Sequence, residues 1–195
     1  MISVENVNKV FPNYPITVND KGWIYGVWYC GTSFNKTKIY GQAPPNYLKR
    51  LYALFPGPGI WLHAPSGIIR HGAEGGLFDN GKEHFTVDLV KRGPGCPQIL
   101  ANTAALPFKD GIFDVVETDP PYSSADCQKY GVPKYPRYKA MAEFWRVLKP
   151  GGYLAWLDVR YPAYSRGTWK LEGLIAIITG FERQTRLASL FRKLE

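Results

Sequence analysis

The amino-acid sequence predicts an α/β fold in which helices flank a mostly parallel β-sheet. Between residues 60 and 158, five short apolar runs follow one another, and each leads into polar or turn-forming residues. One amphipathic helical pattern precedes the first run, and another lies between the fourth and the fifth. Such alternation of strands and helices is typical of a parallel sheet, whose strands carry functional sites at their carboxyl ends.

The first predicted helix lies directly before the first strand. Pro44 and Pro45 open a segment in which apolar side chains recur at helical spacing from Leu48 to Phe55, and alternating prolines and glycines at residues 56–59 end it. The five predicted strands are Ile60–Ala64, Phe85–Val87, Gln98–Ala101, Ile112–Val116 and Tyr153–Leu157.

The carboxyl-terminal part carries two further predicted helices and a strand. The segment Tyr138–Leu148 shows one apolar face, and a Lys-Pro-Gly-Gly turn at residues 149–152 leads from it into the fifth strand. We expect a helix over Trp169–Thr179, stopped by Gly180, and then a strand near Arg183–Leu190.

Length and composition favour one domain. A chain of 195 residues with 45% hydrophobic content can bury a substantial core. We expect a single domain over residues 1–195, with a catalytic core at 36–195 and an N-terminal extension at 1–35. The extension contains a strand-like segment, Gly22–Tyr29, and no task can be assigned to it.

The charge balance favours a polyanionic partner. Lys and Arg number 24 against 16 Asp and Glu, which gives a net charge of +8, although many soluble proteins are basic without binding nucleic acid. The three cysteines, Cys30, Cys96 and Cys127, have neither a disulfide pattern nor a metal-binding spacing. We find no signal segment and no apolar run long enough for a membrane span, so we expect a cytoplasmic protein without a metal.

The sharpest motif is Asp119-Pro120-Pro121-Tyr122, which follows the fourth strand. An exocyclic amine on a base is a poor nucleophile because its lone pair is delocalised into the ring, so an enzyme must supply acceptors for its hydrogens. The Asp119 carboxylate and the Pro120 carbonyl can do so, because successive prolines hold that carbonyl rigidly. Tyr122 offers a face on which an extruded base can stack. The alternative is that the motif is only a stiff turn.

Together with Leu106-Pro107-Phe108, Asp110-Gly111, Phe113-Asp114 and the Leu-Lys-Pro-Gly-Gly segment at 148–152, this motif resembles the class I methyltransferases. The chain is similar to those that methylate the amino groups of adenine and cytosine in DNA, and the resemblance covers roughly residues 40–192. It implies a Rossmann-like methyltransferase fold, S-adenosylmethionine as the methyl donor, and a target amine held over Asp119.

The resemblance also implies a cofactor site. Asp88 is placed like the acidic residue that binds the ribose hydroxyls, and Asn102 like the residue that binds the adenine amine. The alternative for both residues is a structural role, as a polar strand end or a helix cap. Pro44-Pro45-Asn46-Tyr47 resembles the segment over the methionine end of the cofactor, with Pro44 and Pro45 as the residues expected to bind it. In place of the family's glycine-rich turn, this chain has His-Ala-Pro-Ser-Gly at residues 63–67. Gly67 is therefore the one residue of this turn that favours a close approach of the backbone to the cofactor.

A polar loop is predicted from Ser123 to Arg137. Lys129, Lys134 and Arg137 alternate there with tyrosines, a pattern that fits contacts to phosphates and bases but equally a solvated surface. The chain has no room for a separate target-recognition domain, so a protein partner could supply recognition. The sequence favours DNA over RNA as the substrate; an RNA base methyltransferase and a catalytically inactive methyltransferase-fold subunit remain alternatives.

Overall fold

A computed structural model of the chain describes residues 1–31, 43–69, 81–91, 97–180 and 184–195. Its helices are α1 (Val4–Val10), α2 (Tyr47–Leu54), α3 (Ser124–Lys129) and α4 (Arg137–Val147). Its strands are β1 (Ile16–Val18), β2 (Ile24–Tyr29), β3 (Gly59–His63), β4 (Lys82–Asp88), β5 (Ile99–Leu100), β6 (Phe113–Thr118), β7 (Leu148–Asp158), β8 (Trp169–Ile178) and β9 (Arg186–Lys193).

The strands of the described residues form one sheet in the order β1-β2-β8-β9-β7-β6-β3-β4-β5. The strands from β7 to β5 run parallel, β9 is antiparallel to both of its neighbours, and β2 is parallel to β8. The predicted α/β fold with a mostly parallel sheet and flanking helices is therefore confirmed. All five strands predicted between residues 60 and 158 are present, and β7 already begins at Leu148.

The helix predicted over Trp169–Thr179 is wrong, because this segment forms strand β8. It is paired on both sides, by β2 and by β9. Buried and half-buried residues alternate from Gly173 to Ile178, and β-branched isoleucines suit that pleated surface. Gly173 permits the pairing, since a Cβ there would lie 2.4 Å from the carbonyl oxygen of Ile24.

The sheet separates two hydrophobic clusters. Helices α1 and α2 cover one face, where Tyr52 and Phe55 pack on Trp61. Helix α4 covers the other, where Phe144 packs on Trp156. Each helix buries one apolar stripe, as its amphipathic pattern predicts.

Residues of the predicted N-terminal extension join the sheet. The strand-like segment predicted at Gly22–Tyr29 is β2, and β1 pairs with it antiparallel at the edge. Cys96, the beginning of the predicted core at residues 36–42 and the start of the last predicted strand at Arg183 lie outside the described residues. Within the described ranges, no helix has the length and apolar character needed to cross a bilayer.

The segment predicted as a polar loop contains helix α3. Ser123 caps this helix: its hydroxyl accepts from the Asp126 N–H, while the Asp126 carboxylate accepts from the Ser123 N–H at 3.0 Å. This reciprocal pair satisfies the amide groups at the helix start. The loop prediction missed it because the capping pair is only four residues long and no apolar periodicity follows it.

Candidate functional site

The Asp119 carboxylate lies immediately after the carboxyl end of β6, and about one-fifth (19%) of the side chain is exposed. The Tyr122 hydroxyl donates a hydrogen bond to its Oδ1. On the other side, Nη1 of Arg186 lies 4.0 Å from its Oδ2. The motif therefore forms a compact unit in which a tyrosine and an arginine both face the carboxylate.

Burial raises the pKa of the Asp119 carboxyl to about 6. The Arg186 charge and the hydrogen bond from Tyr122 act in the opposite direction and favour the charged form, while the Glu117 and Asp158 carboxylates add to the rise. The carboxyl is thus mostly ionised at pH 7. It is also a stronger proton acceptor than an exposed aspartate.

Arg137 fixes the motif to the neighbouring strand β7. Its Nε and Nη2 donate to Oδ2 of Asp158 at 3.0 and 2.9 Å, and Nη2 also donates to the carbonyls of Pro121 and Tyr122 at 2.9 and 3.2 Å. The Asp158 side chain is 1% exposed. Since Arg137 binds the two carbonyls that follow Pro120, it leaves the Pro120 carbonyl to other partners.

The turn after β3 leans against the end of β4. The Gly67 N–H donates to Oδ2 of Asp88 at 3.0 Å, and the Ser66 N–H donates to the Val87 carbonyl at 2.8 Å. Gly67 has φ +56°, a left-handed conformation that favours glycine. Two residues predicted to bind the cofactor, Gly67 and Asp88, are therefore in contact, although Asp88 also accepts from the Val90 N–H.

Asn102 lies just beyond strand β5, whose Leu100 pairs with Asp88. Its Oδ1 accepts from the N–H of Ala104 at 2.9 Å, so the oxygen closes a local turn. The exposed side chain thus lies at the same edge of the sheet as Asp88.

Pro44 and Pro45 lead into helix α2, and the Tyr47 N–H donates to the Pro44 carbonyl at 3.1 Å. Tyr47 is fully buried, and this burial is the main reason why its pKa lies well above that of an ordinary tyrosine. The charges of Glu117 and Asp119 raise the pKa further. The beginning of α2 is therefore close to the Asp119 motif.

A buried polar chain runs across three strands beneath α2. His63 Nδ1 lies 2.9 Å from Oε2 of Glu117, and His63 Nε2 lies 3.1 Å from Nδ1 of His84. All three residues are buried, and the Tyr52 ring makes edge contacts with both imidazoles. In the described part of the chain, no three His, Cys, Asp or Glu side chains are arranged to hold a metal ion.

The basic residues predicted to bind a polynucleotide have different surroundings. Lys129 and Lys134 are exposed, whereas Arg137 is engaged with Asp158 and the motif carbonyls. Tyr135, one of the tyrosines between them, is buried against Trp156. The structure therefore leaves the two lysines, but not Tyr135, accessible to a substrate.

Three charged residues around Asp119 were not identified from the sequence, namely Glu117, Asp158 and Arg186. They come from β6, β7 and β9. The one available signal was Glu117 itself, a carboxylate inside an apolar strand, because such residues are rarely buried without a partner.

No protein-family profile matches the chain. A Mycobacterium leprae protein, phthiotriol/phenolphthiotriol dimycocerosates methyltransferase, is 35% identical over 79 residues, which are 40% of this chain and 26% of the relative. The matched part is thus about a quarter of that protein.

Two solved structures share the fold at low sequence identity. TrmN from Thermus thermophilus superimposes with a TM-score of 0.56 at 18% identity, over 80% of this chain and 50% of its own. The 1,6-didemethyltoxoflavin-N1-methyltransferase of Burkholderia thailandensis, solved with bound S-adenosylhomocysteine, has a TM-score of 0.53 at 15% identity, over 74% of this chain and 75% of its own. The chain therefore has the fold of S-adenosylmethionine-dependent methyltransferases, and it spans about half the length of the Thermus protein.

Proposed function

We propose that this protein is an S-adenosylmethionine-dependent methyltransferase that acts on an exocyclic amino group of a nucleobase, with adenine in DNA as the first substrate to test. The observation that carries the proposal is the Asp119 carboxylate after β6, which is largely buried and is followed in the chain by Pro120. A strand end with these two acceptors is suited to a group with two N–H donors.

In this proposal Asp119 and the Pro120 carbonyl accept the two hydrogens of the target amine. Accepting both hydrogens favours the pyramidal amine with a localised lone pair, which is the nucleophilic form. The N–H groups become more acidic as the methyl arrives, so their bonds to an ionised Asp119 strengthen in the transition state. With a pKa raised to about 6, Asp119 is charged at neutral pH and basic enough to take up the released proton.

Tyr122 is proposed to stack on the target base, and its surroundings restrict which face of the ring the base can use. The Arg186 guanidinium lies over one face of the Tyr122 ring, 5.1 Å from the centroid. A base must therefore use the opposite face, or displace the arginine. Because the Tyr122 hydroxyl is bound to Asp119, the ring is held beside the acceptor of the amine.

The residues at the strand ends fit S-adenosylmethionine, which supplies the methyl group. Asp88 and Gly67 are proposed to face the ribose, Asn102 the adenine, and the segment of Pro44 and Pro45 the methionine end. Buried polar atoms without a hydrogen-bond partner support a polar ligand here, since such atoms are costly in a protein interior. They are the Ser66 hydroxyl, the Tyr47 hydroxyl and Oε1 of Glu117.

The net charge of +8 and the exposed Lys129 and Lys134 support a polynucleotide substrate. Recognition of a longer sequence would fall to a protein partner. A catalytically inactive methyltransferase-fold subunit is the second candidate. One observation favours it: the Asp88 carboxylate already accepts the N–H groups of Gly67 and Val90.

Calorimetry with S-adenosylmethionine, followed by tritiated methyl transfer, tests the proposal. We expect binding and transfer of the label to an amino group of unmodified DNA. Transfer to RNA alone would move the substrate to an RNA base. Binding without transfer to either polymer would favour the inactive subunit, and absence of binding would refute the proposal.

A further inference from the structure

Glu117 is a buried carboxylate that pairs with an imidazole and, in the described structure, with no lysine or arginine. Its side chain is 0% exposed, Oε2 meets His63 Nδ1, and Oε1 has no hydrogen-bond partner. A buried carboxylate without a counter-charge is strongly disfavoured, and burial raises its pKa to about 8. A positive charge placed near this carboxylate would therefore stabilise its ionised form.

The imidazoles next to Glu117 can hold it in either protonation state. When Glu117 is ionised, His63 donates from Nδ1 and accepts at Nε2 from His84 Nδ1. When Glu117 is protonated, it donates to His63 Nδ1, and the tautomers of both imidazoles reverse. The short distances of 2.9 and 3.1 Å are kept in both arrangements. Glu117 can thus gain or lose a proton without repacking the core.

Glu117 is also near the reaction centre of the proposed function. It precedes Asp119 by two residues, which span at most about 7 Å of chain, and its charge contributes to the raised pKa of Asp119. A methyl donor must bring its reacting atom within about 3–3.5 Å of the amine at Asp119. The Tyr47 hydroxyl, buried and unpartnered, is close to both carboxylates.

We propose that Glu117 is the counter-ion of the methyl donor's cationic sulfur, and that it lets the site distinguish the donor from its neutral thioether product. This inference rests on the proposed function. The carboxylate acts through its field, so it need not touch the ligand, because charges a few ångströms apart attract strongly in a poorly solvated interior. After methyl transfer the positive charge on sulfur is gone, and the product is held less tightly.

The ionisable groups around Glu117 come from several elements. His63 and His84 come from β3 and β4, Tyr47 and Tyr52 from α2, and Asp119 directly follows β6. Arg186, the arginine near Asp119, carries the positive charge at the motif and lies over Tyr122. A cation bound above Glu117 would lower its pKa below neutrality, so binding of the donor at pH 7 should release about one proton.

The experiment is calorimetry on the full chain with S-adenosylmethionine, S-adenosylhomocysteine and sinefungin, in which a protonated amine replaces the sulfonium. Buffers of different ionisation enthalpy give the number of protons released. We expect Glu117→Gln to weaken binding of the two cationic ligands by about tenfold or more and that of the thioether by less than about threefold. Proton release on donor binding should disappear in the variant.

The matched control is Asp114→Asn, which removes a carboxylate from the same strand at the opposite edge of the sheet, where Asp114 pairs with Lys149. It should change none of the three affinities. If the Glu117→Gln protein does not fold, the pH dependence of ligand binding to the wild-type chain tests the same inference. Its preference for the donor over the thioether should rise by up to about tenfold per pH unit between pH 6 and 8.

Equal weakening of all three ligands by Glu117→Gln would overturn the inference, and so would a donor preference that is independent of pH. Both outcomes leave the proposed function intact, because the donor still binds. Absence of binding of all three ligands to the wild-type chain would instead refute the proposed function.

Discussion

The guanidinium of Arg186 lies over the ring of Tyr122, 5.1 Å from its centroid, and thereby connects the antiparallel strand β9 to the motif after β6. The same guanidinium faces Asp119 at 4.0 Å. One cation therefore stabilises the charged form of the carboxylate and covers a face of the tyrosine next to it.

Arg186→Gln should shift the acid side of the activity profile upward. Protonation of Asp119 removes the acceptor, so methyl transfer should fall as the pH drops below about 6 in the wild-type protein. Loss of the nearby positive charge raises the Asp119 pKa further, by roughly one unit. Single-turnover methyl transfer between pH 5 and 8 measures the shift. The exposed Arg166→Gln is the control, and an unchanged profile in Arg186→Gln would show that the charge does not reach Asp119.

Asp119→Ala should abolish most methyl transfer without weakening the fold. The carboxylate is proposed to act in the transition state, so the rate should fall by roughly a hundredfold or more. Binding of S-adenosylmethionine should change little, and the melting temperature should not drop, since burial already disfavours the charged carboxyl. Methyl transfer is measured with tritiated donor on the same sample. A variant that transfers methyl at the wild-type rate would show that the motif is only a stiff turn.

The parallel strands of the sheet were largely predictable from the sequence, whereas β8 and the surroundings of Asp119 were not. Apolar runs such as Phe113–Val116 identify strands because their pattern is local. The Trp169–Thr179 segment misled the prediction because its apolar residues fit a helix as well as a strand, and pairing with β2 and β9 decided the outcome.

Arg186 could not be assigned to the site in advance. Its contacts with the motif depend on the strand order, which places β9 beside β7. Arg137 shows the converse case. Its basic character was visible, but its hydrogen bonds to the buried Asp158 require the folded geometry.

Glu117→Gln should stabilise the ligand-free protein increasingly as the pH rises. The pKa of this carboxyl is about 4.5 in a solvated state and about 8 in the fold. Below pH 4.5 both states are protonated. Between 4.5 and 8 the unfolded chain ionises first, so wild-type stability is lost as the pH rises through this range.

The melting temperature of Glu117→Gln minus that of the wild type should therefore grow from pH 5 to pH 8 and then level off. We expect a gain on the order of 10 °C, since the pKa difference corresponds to roughly 4–5 kcal/mol and 1 kcal/mol to about 2–4 °C in a domain of this size. Thermal denaturation followed by circular dichroism measures the difference. A difference of constant size would mean that Glu117 does not titrate in this range.

Arg137→Ala should destabilise the protein and disturb the motif. It leaves Asp158, which is 1% exposed, without its main partner, and it frees the carbonyls of Pro121 and Tyr122. We expect a loss of roughly 1–3 kcal/mol in urea denaturation. Arg137→Lys should recover only part of this, because a lysine cannot make the same set of hydrogen bonds. Lys134→Ala, on an exposed residue, is the control and should leave the stability unchanged.

Replacement of Lys129 and Lys134 by alanine should weaken binding to a polynucleotide. The two side chains are exposed in the segment that follows the motif in the chain, and each phosphate contact they make would release counterions. In a plot of log binding constant against log salt concentration, the slope should become shallower by about one to two. Fluorescence anisotropy with DNA and RNA of equal length, from 50 to 200 mM salt, measures it. An unchanged slope with both polymers would mean that the two lysines lie outside the interface.

The pairing of β2 with β8 has a consequence for how the chain is made. Ile24 lies opposite Gly173, so two neighbouring strands are separated by about 150 positions of sequence. At a translation rate of about 5–20 residues per second, β2 emerges roughly 10–30 s before the strand it pairs with in parallel. During that interval Ile24 and Trp28, which are buried in the folded protein, lack their neighbours on β8. This side of β2 therefore stays unpaired until β8 has been synthesised.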